Sequence, residues 1–160
     1  MSHAETIPLS GVHHFGVVVK DVEKTMEYYE SNYSCTFQTP PGTGNDRSLV
    51  VRHKGASFRG KPTDYAVKLA FTKMGPIHIE FIQPVEGKAI AAEFLETHGE
   101  GIHHVGIIVD DLKAELAKME KLGFKVLQAC DEPHHPSWAY VDTDKMGGIM
   151  YELIQRRQPR

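Results

Sequence analysis

The chain has 160 residues, of which 41% are hydrophobic, and a formal net charge of −3. This length can bury one well-packed core but not two independent ones, and the nearly balanced charge gives no strong attraction to nucleic acid or to an anionic membrane. The first ten residues lack a basic start followed by an apolar run, and no stretch is long and apolar enough for a membrane span, so we expect a cytoplasmic protein.

The first predicted elements are a strand followed by a helix. Residues 12–19 are largely apolar and β-branched, which is typical of a strand, and apolar residues recur at helical spacing after Asp21. Asp21 is the predicted N-cap of this amphipathic helix, because its carboxylate can accept from the free backbone N–H groups of the first turn. Shorter β-like runs then cover residues 35–38, 48–53, 65–72 and 77–83.

The stretch from Thr39 to Asp64 differs in character from its surroundings. It is rich in glycine, proline and polar side chains, with two turn-forming segments at 40–45 and 58–62. We expect long loops here, and long loops on a compact scaffold often carry function. The basic side chains of this stretch could bind a substrate carboxylate or phosphate, or could simply be solvated; they are Arg52, Lys54, Arg59 and Lys61.

The second half of the chain repeats this order after a short connector. Residues 84–87 are predicted to form a turn and residues 88–98 a helix, which ends at a glycine-containing breaker at 99–101. A strand over 102–109 leads to Asp111, the predicted N-cap of the next helix. Three further strands are predicted over residues 125–129, 138–142 and 148–155.

The two halves are copies of one module. The segment His13-His14-Phe15-Gly16 returns ninety positions later as His103-His104-Val105-Gly106. Each copy closes on an apolar segment that contains one acid, and these segments are only 72 positions apart, so the first copy holds 18 extra residues. A unit of this length is too long for a solenoid repeat, and two half-domains sharing one core are expected. The predicted limits are 11–85 for module one, 86–100 for a connector helix and 101–156 for module two.

Alternation along the strands selects one histidine and one glutamate in each module. Neighbouring side chains of a strand point to opposite faces, so only one histidine of each His-His pair can enter a shared cavity. Glu80 and Glu152 lie at equivalent positions in the closing strands, and a carboxylate among apolar residues is costly to bury unless it is paired or bound to a cation. We therefore predict one metal site on a pseudo-twofold axis, with His14, Glu80, His104 and Glu152 as its ligands.

Two imidazoles and two carboxylates suit a borderline divalent metal ion, either Zn, Ni, Co, Mn or Fe(II). The set contains no thiolate, which argues against a closed structural zinc site. An octahedral ion would keep two positions for water or substrate, which is a catalytic arrangement. The alternative is that these are ordinary buried polar residues with local partners, but their repetition in both modules favours the metal.

The sequence gives weaker evidence for a role of the other histidines in metal binding. His13 and His103 are expected either to face outward or to contact the metal ligands from behind, and they are the alternative ligands of each pair. His78 is a further candidate for a contact from behind. The pair at 134–135 lies between two prolines, which favours a solvated turn over a pair of ligands.

The remaining residues of interest are two cysteines and two aromatic residues. Cys35 and Cys130 are not equivalent in the repeat, and we expect two reduced thiols without a role. Trp138 and Tyr140 share one face of a predicted strand, where they either line the cavity or pack in the core.

These motifs resemble those of the vicinal oxygen chelate superfamily, which includes glyoxalase I, methylmalonyl-CoA epimerase, extradiol dioxygenases and bleomycin-resistance proteins. The family's His-x-Gly motif is similar to His14-Phe15-Gly16 and His104-Val105-Gly106, and its closing Glu-Leu signature to Glu80-Phe81 and Glu152-Leu153. The resemblance covers residues 11–156 and implies one α+β domain spanning 1–160. In that fold, two βαβββ modules form an eight-stranded curled sheet, or open barrel, around the metal.

Within the superfamily the closest resemblance is to methylmalonyl-CoA epimerase. It rests on the segments Glu80-Phe81-Ile82-Gln83-Pro84 and Gly99-Glu100-Gly101-Ile102-His103-His104. The epimerases place a second catalytic acid in the first module, and between Gln38 and His78 this chain offers only Asp46 and Asp64. This is where the chain departs from the epimerase pattern.

The resulting hypothesis is an epimerase or isomerase that removes a proton next to a carbonyl. The metal would stabilise the enolate, with Glu80 and Glu152 as catalytic candidates and Glu152 as the preferred proton carrier. A glyoxalase I-type lyase acting on a hemithioacetal would use the same four ligands. A small-molecule substrate, such as an acyl-CoA or another carbonyl compound, is expected, together with a homodimer and no nucleic-acid or membrane partner.

Two further alternatives fit the ligand set less well. An extradiol Fe(II) dioxygenase uses two histidines and one carboxylate, and a fourth ligand at Glu80 would take a position that O₂ or the substrate needs. A non-catalytic small-molecule binding or resistance protein usually lacks the full quartet of ligands.

Overall fold

The structure is a computed structural model that describes residues 11–39, 46–132, 136–145 and 147–156. Module one begins with strand β1 (Val12–Val18) and helix α1 (Val22–Asn32). Its other strands are β2 (Phe37–Gln38), β3 (Leu49–Phe58), β4 (Lys61–Met74) and β5 (Ile77–Gly87). Helix α2 (Ile90–His98) leads to module two, which consists of β6 (Gly101–Ile108), α3 (Leu112–Lys121), β7 (Val126–Cys130), β8 (Ser137–Val141) and β9 (Tyr151–Gln155).

All strands belong to one mixed sheet, in the order β2-β4-β3-β7-β8-β9-β6-β1-β5. An additional pairing of β4 with β5 joins the sheet to itself, so eight strands close into a barrel and β2 lies outside it on β4. The predicted α+β class with eight curled strands is confirmed, and the barrel is closed rather than open. The modules meet at a long seam between β1 and β6 and at a short seam between β3 and β7.

The helices begin in the same way in both modules. The carboxylates of Asp21 and Asp111 accept hydrogen bonds from the backbone N–H groups of Lys24 and Ala114, as predicted for N-caps. A second unpaired N–H at each helix start is satisfied by a glutamine of the closing strand, three residues after its glutamate. The side-chain oxygen of Gln83 accepts from the Val22 N–H, and that of Gln155 accepts from the Leu112 N–H, each at 3.0 Å. The helices are thereby tied to the strands that carry the two candidate glutamates.

The core explains why those glutamates point inward. Phe81 packs outside the barrel against α1, and Leu153 packs at the equivalent place near α3; they are 1% and 0% exposed. Because successive side chains of a strand alternate between its faces, Glu80 and Glu152 must turn toward the barrel interior.

The strand predicted over residues 48–53 is confirmed by β3, but the long loop expected after it is a β-hairpin. β3 continues through Phe58 and β4 begins at Lys61, with Arg59 and Gly60 as a two-residue turn. Both turn residues have positive φ, 49° and 76°, as in the turns whose twist suits a hairpin. The loop prediction was wrong for this part because polar residues occupy the solvent face of two long strands. Residues 40–45 lie outside the described part of the chain.

The turn predicted at 84–87 is also wrong, because β5 continues to Gly87. The last residue pair between β1 and β5 joins Val18 to Ile82, so beyond that point β5 pairs with β4 alone. Proline has no N–H to donate and is tolerated where one side of a strand is unpaired, which is the situation of Pro84. Within the described residues, none of the three helices is long and apolar enough to cross a membrane.

Candidate metal centre

The candidate site lies at the long seam between the modules. β1 and β6 run antiparallel, and their register places His14 opposite Gly106 and Gly16 opposite His104. Each histidine therefore lies beside the glycine of the other module's His-x-Gly motif. The two imidazoles point into the barrel, with residue exposures of 3% for His14 and 1% for His104.

Both glycines are required by the space that the opposite imidazole occupies. A Cβ atom added at Gly16 would overlap the ring of His104, and one added at Gly106 would overlap the ring of His14. The sequence pattern predicts that the histidines are ligands, but it does not predict why a glycine follows each of them. Their two-residue spacing from the histidines was the available signal, because it places both residues on one face of a strand.

The two glutamates come from the strands that flank this seam. β5 runs parallel to β1 and places Glu80 beside Gly16, while β9 runs parallel to β6 and places Glu152 beside Gly106. Neighbouring residues across the sheet therefore form two rows, each a glutamate, a glycine and a histidine, and the pseudo-twofold axis relates the two rows. The rows are Glu80–Gly16–His104 and Glu152–Gly106–His14. All four side chains enter the barrel interior from four adjacent strands.

The structure brings the four predicted side chains together. One ligand atom from each of His14, Glu80, His104 and Glu152 lies within 4.8 Å of the other three. The two Nε2 atoms are 3.1 Å apart, and His14 Nε2 lies 3.2 Å from Glu80 Oε2 and 3.4 Å from Glu152 Oε2. His104 Nε2 lies 3.2 Å from Glu152 Oε2 and 3.7 Å from Glu80 Oε2.

These separations fit the donor set of a divalent ion. Metal–ligand bonds of about 2.0 to 2.2 Å place neighbouring donor atoms about 3 to 3.5 Å apart. Two buried carboxylates also repel one another and are costly to bury without a compensating positive charge. The four residues can therefore hold a divalent cation, and their oxygen and nitrogen donors suit the borderline ions of the zinc and iron class.

In the metal-free protein a proton replaces part of that positive charge. Burial would lower the pKa of His14, but hydrogen bonds to Glu152 and Glu80 outweigh it and raise the pKa to about 10. Burial would raise the pKa of Glu152, but the charge of His104 and hydrogen bonds from both histidines hold that pKa well below its usual range. Metal binding must displace the proton from His14, so the affinity for metal should rise with pH.

The histidine that precedes each ligand contacts it from behind. The Nδ1 atoms of His13 and His14 are 3.1 Å apart, and those of His103 and His104 are 3.0 Å apart. Burial and the neighbouring imidazole lower the pKa to about 4 for His13 and about 3 for His103, so both rings are neutral and can accept a hydrogen bond. Such a bond would fix the ligand tautomer with Nε2 facing the cavity.

His103 is not outward-facing, since it is 5% exposed and its ring contacts Phe94 and Tyr140. His78 does not reach the ligand atoms directly but stacks on His13, with ring centroids 4.9 Å apart. The predicted turn at 134–135 lies outside the described residues.

One contact breaks the symmetry between the two glutamates. Tyr140 lies opposite Glu152 in the β8–β9 pair, and the equivalent position opposite Glu80 is Phe71. The Tyr140 ring also lies 4.9 Å from the His104 ring, and burial followed by the charge of Glu152 raises the pKa of its hydroxyl well above the usual value. A protonated phenol therefore lies beside one carboxylate and a hydrocarbon ring beside the other.

The polar candidates of the β3–β4 hairpin lie away from the four ligands. Arg52 and Arg59 form exposed ion pairs, each with a nitrogen-to-oxygen distance of 2.8 Å, to Glu86 and Glu93. The two acids considered as a second catalytic base, Asp46 and Asp64, are both exposed, and the Asp64 carboxylate accepts from the Gly55 N–H. Neither acid reaches the barrel interior.

The stability of the metal-free protein should fall as the pH rises above neutrality. The folded protein holds a proton on His14 up to a pKa of about 10, whereas an unfolded histidine loses it near 6.5. Stabilisation from this proton is complete below pH 6.5 and is lost as the pH rises toward 10, at up to about 1.4 kcal/mol per pH unit. We expect the unfolding free energy in urea with a chelator to be about 2 to 3 kcal/mol lower at pH 9 than at pH 7.

The matched control for this experiment is His14→Gln, whose metal-free form should show a flatter profile over the same range. The metal-loaded wild-type protein should also show a flatter profile, because its His14 is already deprotonated. A wild-type profile in chelator that stays level between pH 7 and 9 would contradict the paired state of His14.

Comparison with known proteins gives one family and several structural neighbours. The model of the Glyoxalase/Bleomycin resistance protein/Dioxygenase superfamily matches residues 13–141. The uncharacterized protein YqjC of Bacillus subtilis (strain 168) is 22% identical over 113 residues, which cover 68% of this chain and 81% of that protein.

Two solved structures share the fold along nearly the whole chain. A methylmalonyl-CoA epimerase variant from Streptomyces coelicolor, in complex with 2-nitronate-propionyl-CoA, is 19% identical with a TM-score of 0.65 and covers 94% of this chain and 100% of its own. The methylmalonyl-CoA epimerase from Mycobacterium tuberculosis is 18% identical with a TM-score of 0.61, covering 98% of this chain and 97% of its own. At these identities the likeness shows the arrangement of the backbone.

Proposed function

Because this chain belongs to the Glyoxalase/Bleomycin resistance protein/Dioxygenase superfamily, we propose that it is a metal-dependent enzyme that removes a proton from the carbon next to a carbonyl group. The reaction class we favour is epimerisation or isomerisation. The observation that carries the proposal is the convergence of two imidazoles and two carboxylates, from equivalent places in both modules, on one buried point. Such a set is costly to keep in a barrel interior unless a cation is bound there.

When bound, a divalent cation at this point supplies the positive charge that stabilises negative charge developing on a substrate carbonyl oxygen. His14, Glu80, His104 and Glu152 would hold this cation, and it would bind the oxygens of the substrate. His13 and His103 keep the ligand imidazoles oriented, and the closed wall of β1, β5, β6 and β9 limits access of water from the sides.

We propose Glu152 as the base that takes the proton from the α-carbon and returns it. Of the two glutamates, Glu152 lies opposite a phenol in its strand pair, and a hydroxyl that donates to one carboxylate oxygen can hold that group in place for proton transfer at the other oxygen. Glu80, beside Phe71, lacks this partner within its strand pair and is better suited to remain a ligand. Tyr140 is thus a positioning residue rather than the proton carrier.

The acyl-CoA esters are the substrate class we propose. Structural neighbours of this chain were solved with 2-nitronate-propionyl-CoA and with methylmalonyl-CoA. The α-proton of a thioester is acidified by the adjacent carbonyl, which is the chemistry that the candidate site can assist.

A glyoxalase-type lyase acting on a hemithioacetal is the second candidate. It is favoured by the exposed positions of Asp46 and Asp64, because a two-base epimerase needs an acid on each side of the substrate carbon. One base that returns the proton to a neighbouring atom is sufficient for the lyase or for an isomerase. Both reactions begin with the same proton abstraction.

The test follows exchange of substrate α-protons with D₂O, using the metal-loaded full chain and a panel of acyl-CoA esters and hemithioacetals. We expect metal-dependent exchange with at least one acyl-CoA ester. Exchange confined to hemithioacetals would support the lyase instead. The absence of exchange with every compound at full metal loading would overturn the proposal, and consumption of O₂ with a catechol would identify a dioxygenase.

A further inference from the structure

A second cluster of metal-binding side chains lies at the other seam between the modules. It combines His53 of β3 with Cys130 of β7 and with Glu132, two residues farther along the chain. His53 Nδ1 lies 3.3 Å from Glu132 Oε1 and 3.5 Å from Cys130 Sγ, and the thiol sulfur lies 3.3 Å from the same carboxylate oxygen. Three different ligand atoms thus face one point.

We propose that His53 Nδ1, Cys130 Sγ and Glu132 Oε1 form a second cation site, suited to a borderline divalent ion such as zinc or cobalt. Bonds of about 2.0 to 2.3 Å at tetrahedral angles separate such donor atoms by about 3.3 to 3.6 Å. The three observed distances lie in this range. A thiolate and a carboxylate together balance the charge of a divalent cation, and the imidazole completes a mixed donor set of the kind that zinc accepts.

The backbone is shaped to bring these atoms together. A β-bulge lies between His53 and Ala56, with Gly55 at a φ of 66°, and it allows both flanking side chains to be buried, at 6% and 2% exposure. In a regular strand, residues three positions apart, such as 53 and 56, would face opposite sides. Cys130 is the last residue of β7, and the chain beyond it brings the Glu132 carboxylate to within 3.3 Å of the Cys130 sulfur. The Glu132 carboxylate is further held by the Lys54 N–H at 3.0 Å.

Aromatic rings hold the imidazole of His53 in its plane. It stacks on Tyr65, with centroids 4.8 Å apart and an interplanar angle of 24°, and Trp138 meets it edge-on at 5.6 Å. His53 and Cys130 are 6% and 4% exposed, so both proposed ligands are already desolvated and oriented in the metal-free protein.

The position of the cluster suggests what a bound ion would do. In the described residues, the β3–β7 seam pairs Ser57 with Ala129 and Phe58 with Gln128, whereas the β1–β6 seam pairs residues along the whole of β1. Since His53 belongs to module one and the other two ligands to module two, the ion would join the modules where the sheet holds them least. This inference does not depend on the proposed enzymatic activity.

The thiolate makes the second site distinguishable from the first. Cobalt(II) bound to a thiolate shows a sulfur-to-metal charge-transfer absorption in the near ultraviolet, which the four nitrogen and oxygen donors of the first site cannot produce. We expect the cobalt-loaded full chain to bind two ions and to show this band. Cys130→Ser should remove the band and one ion per chain, and the matched control Cys35→Ser should retain both.

Binding of one ion at most without the band, or a band that survives Cys130→Ser, would overturn the proposal. If Cys130→Ser does not fold, Glu132→Gln decides, since this side chain is 23% exposed and its loss should still release one ion per chain. Unchanged metal content in Glu132→Gln would then reject the site. A double variant with Glu80→Gln and Glu152→Gln should keep the charge-transfer band, which separates failure of the first site from failure of the second.

Discussion

Gly106→Ala should reduce the affinity of the first site for metal by about 10- to 100-fold. The added Cβ would overlap the His14 ring, so the imidazole must leave its place or the two strands must separate. Overpacking a well-filled interior costs about 1 to 3 kcal/mol, and each 1.4 kcal/mol corresponds to tenfold in a binding constant. Calorimetric titration of the metal-free protein with cobalt measures the effect, and it is carried out in the Cys130→Ser background so that the second cation site does not contribute.

The matched control is Gly101→Ala on the same strand. A Cβ at Gly101 would meet only one atom of Phe94, at 4.0 Å, so this variant should bind metal like the wild type. Gly16→Ala should repeat the loss, because it displaces His104 in the symmetric way. Wild-type affinity in both Gly16→Ala and Gly106→Ala would show that the imidazoles are not held by the opposing glycines.

Glu152→Gln should lower the rate of α-proton exchange by about 10²- to 10⁴-fold, which is the usual contribution of a general base. The amide has nearly the same shape as the carboxylate but cannot take up the proton. The rate is measured at saturating metal, with the metal content of each sample determined, because the variant also loses a charged ligand. Incomplete metal loading then cannot explain the lower rate of exchange.

Glu80→Gln is the matched variant for this prediction. It removes the equivalent charge from the same site, so it should weaken metal binding to a similar degree but slow exchange less at saturating metal. Tyr140→Phe should slow exchange about tenfold with little change in metal affinity, because a positioning hydrogen bond contributes about 1 to 1.5 kcal/mol. Equal rates in Glu80→Gln and Glu152→Gln would refute the assignment of Glu152 as the proton carrier.

Most of the correct predictions from the sequence depended on the internal repeat. The repeat predicted two half-domains with one core, and the helical spacing after Asp21 and Asp111 predicted the paired helix caps. The α+β class with eight curled strands was implied by the family resemblance. Strand alternation then allowed only one histidine of each His-His pair to enter the cavity beside the glutamate of that module. The helix-cap and strand-face predictions depend only on periodicity within a segment, which local geometry imposes wherever the strand finally lies.

The hairpin and the end of β5 were mispredicted for the same physical reason. Glycine, proline and polar residues between 54 and 64 favour a turn when each segment is considered alone. In the folded chain, β3 and β4 satisfy one another's backbone hydrogen bonds across eight residue pairs, and that pairing outweighs the local preferences. The residues of one segment do not show which strand it will pair with, so a strand that depends on such pairing cannot be predicted from the segment alone.

The doubled βαβββ order and the four side chains that could share a metal were predictable without a structure, because both follow from spacing along the chain. The partners of these side chains depend on how the strands pair in the folded protein. The antiparallel register of β1 and β6 set each glycine beneath the opposite imidazole, and the pairing of β8 with β9 gave Glu152 a tyrosine where Glu80 has a phenylalanine. The fold also brought Cys130, predicted to have no role, beside a histidine 77 positions away, since contacts across a closed barrel depend on register between distant strands.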